Sequence, residues 1–240
     1  MAVALSVVVP VKDEAENVGP LAREIAAALR DGPTAEIIFV DDGSSDGTAA
    51  ALQALKAELP QLRVLQHARN FGQSRGVRTG VRAARSDIIV TLDGDGQNDP
   101  ADIPKLVEML RTSDARVGMV AGVRRRRMDD SNRKLASNLA NRFRRFMLKD
   151  GAADSGCGLK AFRREVFLAL PYFDHIHRFL IAMVLREGYE VREVDVNHRP
   201  RAHGQSKYGN FSRALAGFRD TFGVRWLQRR FKGPAQAKEI

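Results

Sequence analysis

Asp93 and Asp95 stand one residue apart just after the apolar run Ile88-Ile89-Val90, and Gln97 follows in the same turn. A strand that ends in Asp-Gly-Asp aims both carboxylates into the crevice beyond its carboxyl end, where open α/β sheets bind their ligands. Asp93, Asp95 and Gln97 offer the hard oxygen ligands that Mg²⁺ or Mn²⁺ prefers, and such ions commonly bridge to phosphate oxygens. Gly94 and Gly96 would let the backbone approach a ligand closely. The competing reading of an isolated Asp-Gly-Asp is a turn that merely closes a strand. Three further polar loops weigh against it: Pro10-Val11-Lys12-Asp13-Glu14, Asp41-Asp42-Gly43-Ser44 and Arg69-Asn70-Phe71-Gly72. On a parallel sheet all four loops fall along one edge, an unusual coincidence for a purely structural design.

The elements that must position these loops follow from periodicity. Buried-strand patterns occupy Leu5–Val9, Glu36–Val40, Arg63–Gln66, Ile88–Leu92 and Val117–Ala121. Amphipathic helices intervene: one carries Val18, Leu21 and Ile25, the next Leu52 and Leu55, and two more span Gln73–Ala84 and Ile103–Leu110. This alternation predicts a mainly parallel sheet with right-handed crossovers. Beyond residue 121 it stops. The pattern there predicts a basic loop over Gly122–Asp130, a helix over Ser131–Leu148 and a Gly-rich loop over Asp150–Gly158. A short strand at Leu159–Phe162, helices over Arg164–Leu170 and His175–Glu187, and a strand over Glu190–Val196 complete the sheet. In the last helix, Lys207–Phe231, the residues Phe211, Leu215, Phe218, Phe222 and Trp226 recur every three or four positions among basic side chains.

Composition narrows the partners. The 240 residues are 44% hydrophobic and 28% charged, enough for one α/β domain with a sizeable core. Thirty-nine Lys and Arg against 29 Asp and Glu give a formal net charge of +10, which favours nucleic acid, an anionic membrane or phosphorylated substrates. The single Cys157 excludes an internal disulfide and a multi-cysteine zinc site and fits a reducing cytoplasm. Met1–Pro10 has the pattern of a first strand, and no apolar run reaches spanning length, so a soluble or peripheral protein is expected.

With these loops the sequence resembles the family 2 nucleotide-sugar glycosyltransferases of the GT-A fold, in particular the dolichol-phosphate mannosyltransferase-like branch of polyprenyl-phosphate hexosyltransferases. The resemblance covers about residues 5 to 210. It implies an α/β GT-A fold, a Rossmann-like mainly parallel sheet flanked by helices, with a C-terminal amphipathic helical segment. Residues 1–206 would form the glycosyltransferase domain, with a nucleotide-sugar half over 1–121 and an acceptor half over 122–206. Residues 207–240 would form a basic amphipathic helix and tail. Pro10, Val11, Asp13, Glu14 and Asp41 match positions around the nucleoside, and Asp93 and Asp95 match the DXD pair, joined by Gln97 around the metal and diphosphate. Lys12 departs from the Tyr or Phe that the family often has. Asp42 and Asp46 stand between ligand contact and turn hydrogen bonding.

The second half carries the branch assignment. Arg124, Arg133 and Ser137 match the segment that binds the acceptor phosphate, a task suited to the planar fork of guanidinium groups. Arg125, Arg126 and Arg127 read as a solvated basic loop. Asp154, in Asp154-Ser155-Gly156-Cys157-Gly158, is either a sugar or loop-anchoring carboxylate or a turn cap beside a buried Cys157. Arg201, Ser206 and Lys207 match the Arg-x-x-Gly-x-Ser-Lys motif near the diphosphate and acceptor phosphate. The resemblance implies an inverting, Mg²⁺- or Mn²⁺-dependent transfer of a hexose, mannose first, from GDP- or UDP-sugar to a polyprenyl phosphate, with no nucleic-acid role. It also implies a peripheral site on the cytoplasmic membrane face. The C-terminal helix would lie on the anionic leaflet, dock on a separate small integral anchor protein, or pack its aromatics on the core. A family 2 transferase acting on a sugar hydroxyl, with Asp154 as base, is the alternative enzyme. A basic nucleic-acid-binding module is the alternative from another class, and it leaves the acidic loops unexplained.

Overall fold

The computed structural model of the chain describes residues 3–124, 142–201 and 210–233, with side chains from residue 216 onward in the last stretch. Its strands are β1 (Leu5–Val11), β2 (Ala35–Asp41), β3 (Leu62–Gln66), β4 (Ile88–Thr91), β5 (Val117–Arg124), β6 (Lys160–Arg163) and β7 (Glu190–Val196). They form one sheet in the order β3-β2-β1-β4-β6-β5-β7. β6 runs antiparallel to β4 and β5, and the other pairings are parallel.

Each residue of β1 is buried, so both faces of the sheet centre are covered. Val7, Val9, Ile37 and Phe39 meet α1 (Ala15–Ala28), α2 (Thr48–Glu58) and α4 (Ile103–Thr112) in one core. Val8, Ile38, Val40 and Ile89 point the other way. There they meet α3 (Gln73–Ala83), α5 (helical residues 142–148), α6 (Arg164–Ala169), α7 (Leu180–Arg186) and α8 (Asn210–Arg230). The strict alternation of facing follows from the two-residue period of a strand. α3 lies tight on β1: a Cβ at Gly80 would come within 2.3 Å of Val8 Cγ1. That contact fixes Gln73, at the amino end of α3, beside the carboxyl edge of the sheet.

Two segments differ from the sequence expectation. β5 continues through Gly122-Val123-Arg124, taken above as loop, because these residues pair with Val194, Asp195 and Val196 of β7. Arg124 therefore projects from a rigid strand. The continuous helix expected over His175–Glu187 breaks at its start: His175 is left-handed at φ 65°, Ile176–Arg178 form a 3₁₀ turn, and α7 begins at Leu180. Tertiary contacts override local pattern there, since the His175 ring bonds Asp220 of α8 at 2.8 Å and His177 bonds Ser74 of α3 at 2.7 Å.

Candidate active site

The acidic turn after β4 is held from several sides. Asp93 N–H donates to Asn98 Oδ1 at 3.0 Å, Gln73 Nε2 donates to Asp93 Oδ1 at 2.7 Å, and Gln97 N–H donates to Asp95 Oδ1 at 3.1 Å. Burial, with the neighbouring Asp95 charge adding to it, pushes the Asp93 carboxyl up to about 6. A carboxylate pair in that state carries negative charge the protein only partly neutralises, which is the electrostatic condition a divalent cation relieves. The donor set fits such an ion: two carboxylates and an amide suit Mg²⁺ or Mn²⁺, which keep several non-protein oxygens in their shell. Among the described residues no third His, Cys, Asp or Glu joins the pair.

One glycine of the turn acts differently from the expectation that both admit a ligand. A Cβ at Gly94 would lie 2.4 Å from Val11 Cγ1, so Gly94 admits the neighbouring strand end, while Gly96 supplies the left-handed φ of 74°. Gly158 closes the floor, for a Cβ there would come within 2.4 Å of the Asp93 carboxyl carbon. Beneath it Lys160 is 3% exposed, bonded to the Cys157 carbonyl, and burial pulls its ammonium below the ordinary value.

The loops after β1 and β2 interlock. Asp13, left-handed at φ 48°, accepts from Ser45 N–H at 2.7 Å and donates its own N–H to Ser44 Oγ at 2.8 Å. Asp41 is fully buried and accepts from Ser44 N–H and Gln66 Nε2, each at 3.0 Å. Pro10 and Val11 end β1 beside it. Lys12 Nζ reaches the Gly43 carbonyl at 3.0 Å. Asp42 takes the His67 ring and the amides of Phe71 and Gly72, and Asp46 takes Thr48 and Ala15. Both of these acids thus hold turns. Glu14 accepts from Asn17 Nδ2 at 2.6 Å with one oxygen and lies 3.6 Å from Arg201 with the other.

On the far side of the acid pair, Arg124 forks onto Asp154 through Nε at 2.6 Å and Nη2 at 2.9 Å. Burial works against the Arg124 charge, but the Asp154 hydrogen bonds outweigh it and hold the guanidinium above its ordinary value. Asp154 also accepts from Gly156 N–H, so it anchors its loop and Arg124 together. Arg201 Nη2 donates to Asp95 Oδ2 at 2.8 Å. Arg133, Ser137, Ser206 and Lys207 lie outside the described residues, as do Arg125, Arg126 and Arg127.

Sequence reasoning missed Gln73, Asn98, Lys160 and Arg199 as parts of this site. Gln73 directly follows the Arg69–Gly72 loop, and that position was the available signal. Lys160 sits in an apolar strand pattern, where a lysine is itself anomalous. Arg199, which pairs with Glu24 of α1 and with Asp99, depends on contacts no local pattern encodes.

A second surface stands out on the α5–α8 side. Phe146 is 78% exposed, and Phe218, Phe222 and Trp226 are 49%, 48% and 57% exposed, while α8 buries Thr221 and Val224. Phe143 stacks on Phe218 with ring centroids 5.1 Å apart. Arg142, Arg145, Arg219, Arg229 and Arg230 are exposed on the same two helices. The side chains of Phe211 and Leu215 lie outside the described residues. Among the described residues no helix is long and apolar enough to cross a membrane.

Glycosyl transferase family 2 is matched over residues 6–170. The chain is 36% identical over 230 residues to dodecaprenyl-phosphate galacturonate synthase of Rhizobium johnstonii, covering 94% of this chain and 67% of that protein. It is 38% identical over 207 residues to undecaprenyl-phosphate 4-deoxy-4-formamido-L-arabinose transferase of Pectobacterium carotovorum, covering 85% and 62%. The chain thus spans 62% to 67% of the length of these relatives. Among solved structures, mannosyl-3-phosphoglycerate synthase of Rubrobacter xylanophilus superposes with a TM-score of 0.74 at 21% identity, covering 99% of this chain and 77% of that one. Glucosyl-3-phosphoglycerate synthase of Mycobacterium tuberculosis, in complex with Mn²⁺, UDP and glucosyl-3-phosphoglycerate, gives 0.69 at 21% identity, covering 97% and 81%. These likenesses show the GT-A fold.

Proposed function

The chain belongs to glycosyl transferase family 2, and on that premise we propose that it moves a sugar from a GDP- or UDP-linked donor to the phosphate of a polyprenyl phosphate at a membrane surface. The names of the relatives at 36% and 38% identity, both built on a polyprenyl phosphate, support the acceptor class. Mannose remains the first hexose to try, and the relatives' galacturonate and 4-deoxy-4-formamido-L-arabinose extend the range.

Asp93 and Asp95, with Gln97 beside them, would hold a Mg²⁺ or Mn²⁺ ion, and Gln73 orients Asp93. When bound, that ion supplies neutralisation of charge building on the departing nucleoside diphosphate. Pro10, Val11, Asp13, Glu14 and Asp41 form the nucleoside side. Arg124, aimed by Asp154, and Arg201, together with Arg133, Ser137, Ser206 and Lys207, receive the acceptor phosphate. A phosphate monoester with a second pKa near 6 is largely dianionic at neutral pH, so it attacks the anomeric carbon without a strong base. The rest is alignment by guanidinium groups.

The single observation that carries the acceptor assignment is the Arg124–Asp154 fork. A sugar hydroxyl needs a base, and Asp154, the carboxylate that the hydroxyl reading assigns to that role, is bonded to Arg124 through both oxygens. The exposed aromatic and basic face of α5 and α8 supports contact with an anionic leaflet on the cytoplasmic side, or with a separate integral anchor protein.

The test is a donor panel. Purified protein with Mn²⁺ and a short-chain prenyl phosphate is offered GDP- and UDP-linked hexoses, uronates and amino-pentoses, and products are identified by mass. One donor should give a prenyl-phosphate-sugar. Consumption of donor only with a glycan or sugar-alcohol acceptor would replace this reading with the hydroxyl one.

A further inference from the structure

Residues 197–201 form a strap across the acidic turn. Asn98 and His198 make an antiparallel bridge, and Arg199 N–H donates to the Gln97 carbonyl at 2.9 Å. Asn197 N–H donates to Asp102 Oδ2 at 2.7 Å, and the Arg199 guanidinium clasps Asp99 and Glu24. The strap ends at Arg201, whose Nη2 sits on Asp95 Oδ2 at 2.8 Å and 3.6 Å from Glu14 Oε1. The side chains of this pair are 24% and 15% exposed, so solvent screens the contact only in part.

Both Asp95 oxygens are thus already engaged, Oδ1 by the Gln97 amide and Oδ2 by the positively charged Arg201. A divalent ion on this carboxylate would lie within a few ångströms of the guanidinium, and two cations on one oxygen repel strongly in a part-buried site. We propose that Arg201 is the resident counter-cation of Asp95 and exchanges with the divalent ion, with Glu14 retaining the displaced guanidinium. The inference rests on the reading of Asp93 and Asp95 as the ion's ligands. It makes Arg201 a positioning residue that links ion occupancy to the location of an acceptor-side charge. By linkage, whatever favours the Arg201–Asp95 contact disfavours the ion by the same factor.

The measurement is calorimetric titration of Mn²⁺ alone into the full chain, without nucleotide. Arg201→Gln should bind Mn²⁺ more tightly than wild type, by about three- to thirtyfold for loss of one part-screened charge-assisted contact. Arg201→Lys, which keeps the charge but not the guanidinium, should gain less in the same direction, and it serves if the Gln variant fails to fold. Arg23→Gln removes an equal charge from the exposed Arg23–Glu58 pair, away from the strap and from Asp95, and should stay within about twofold of wild type, since exposed pairs act weakly. A merely structural Arg201 would weaken ion binding when replaced. Unchanged or weaker affinity in the Arg201 variants, or an equal gain in Arg23→Gln, overturns the exchange while leaving the ion site standing. Asp95→Asn should lose Mn²⁺ binding; if it does not, the ion site itself falls, and the exchange with it.

Discussion

Arg124 and Asp154 are 15% and 6% exposed in their side chains and form an ion pair with two hydrogen bonds between them. Removing one partner of such a pair strands a buried charge, at a cost of about 3–5 kcal/mol, whereas replacing both with apolar groups is often nearly neutral. Arg124→Leu and Asp154→Leu should therefore each lower stability markedly, while the double variant recovers much of the loss. Denaturant titration of the four proteins checks this, and additive losses would mean that the two side chains act independently. The sequence made Arg124 and Asp154 visible as separate motif positions but did not join them, because they meet only across β5 and the loop before β6. The turn alternative for Asp42 was legible beside Asp41, and it holds: Asp42 takes His67, Phe71 and Gly72, partners that sequence alone did not name.

At the scale of elements, Glu36 ties the first residues of β2 to its neighbours. It accepts from Ser6 Oγ of β1 at 2.6 Å and Arg85 N–H at 2.6 Å, and pairs with Arg63 of β3. Burial favours the neutral acid, but these hydrogen bonds outweigh it and hold the carboxyl below its ordinary value of 4.5. A depressed folded value means that the carboxylate stabilises the fold above about 4.5 and that this contribution is lost as pH falls through the lower folded value. Glu36→Gln should cost about 1–3 kcal/mol at pH 7, as loss of charge-assisted hydrogen bonds does. The deficit should shrink in melts taken below pH 4, and a constant deficit would remove the carboxylate from the account. The strands themselves were legible because β-branched runs encode burial on both faces. The break at His175 was not, since its cause, Asp220, lies on another helix. α8 was legible as a stripe, but its facing was not: the aromatics point out and Thr221 and Val224 point in. Replacing Phe218, Phe222 and Trp226 together by Ser should therefore spare the fold and abolish sedimentation with anionic vesicles. Loss of fold would return the stripe to the core, and unchanged sedimentation would locate membrane contact elsewhere.

At the scale of the whole molecule, the one-sided placement of chemistry follows from topology. β1, β2, β3 and β4 run parallel, so each following loop emerges on the same edge of the sheet. β5 and β6 add Arg124 and the Asp154–Gly158 loop to that edge. The net charge of +10 is then unevenly used, with acids gathered at the crevice and exposed arginines on α5 and α8. This division suits the proposed transfer, in which a charged nucleotide and a charged lipid would be held at once. In the proposed transfer the nucleophile is a phosphate oxygen of the lipid. Phosphorus NMR of a reaction containing prenyl phosphate, the accepted sugar donor and Mn²⁺ tests it most directly. The phosphomonoester signal of the lipid should decline as a phosphodiester signal grows in equal amount, alongside released nucleoside diphosphate. Release of nucleoside diphosphate while the lipid phosphomonoester stays unchanged would contradict it.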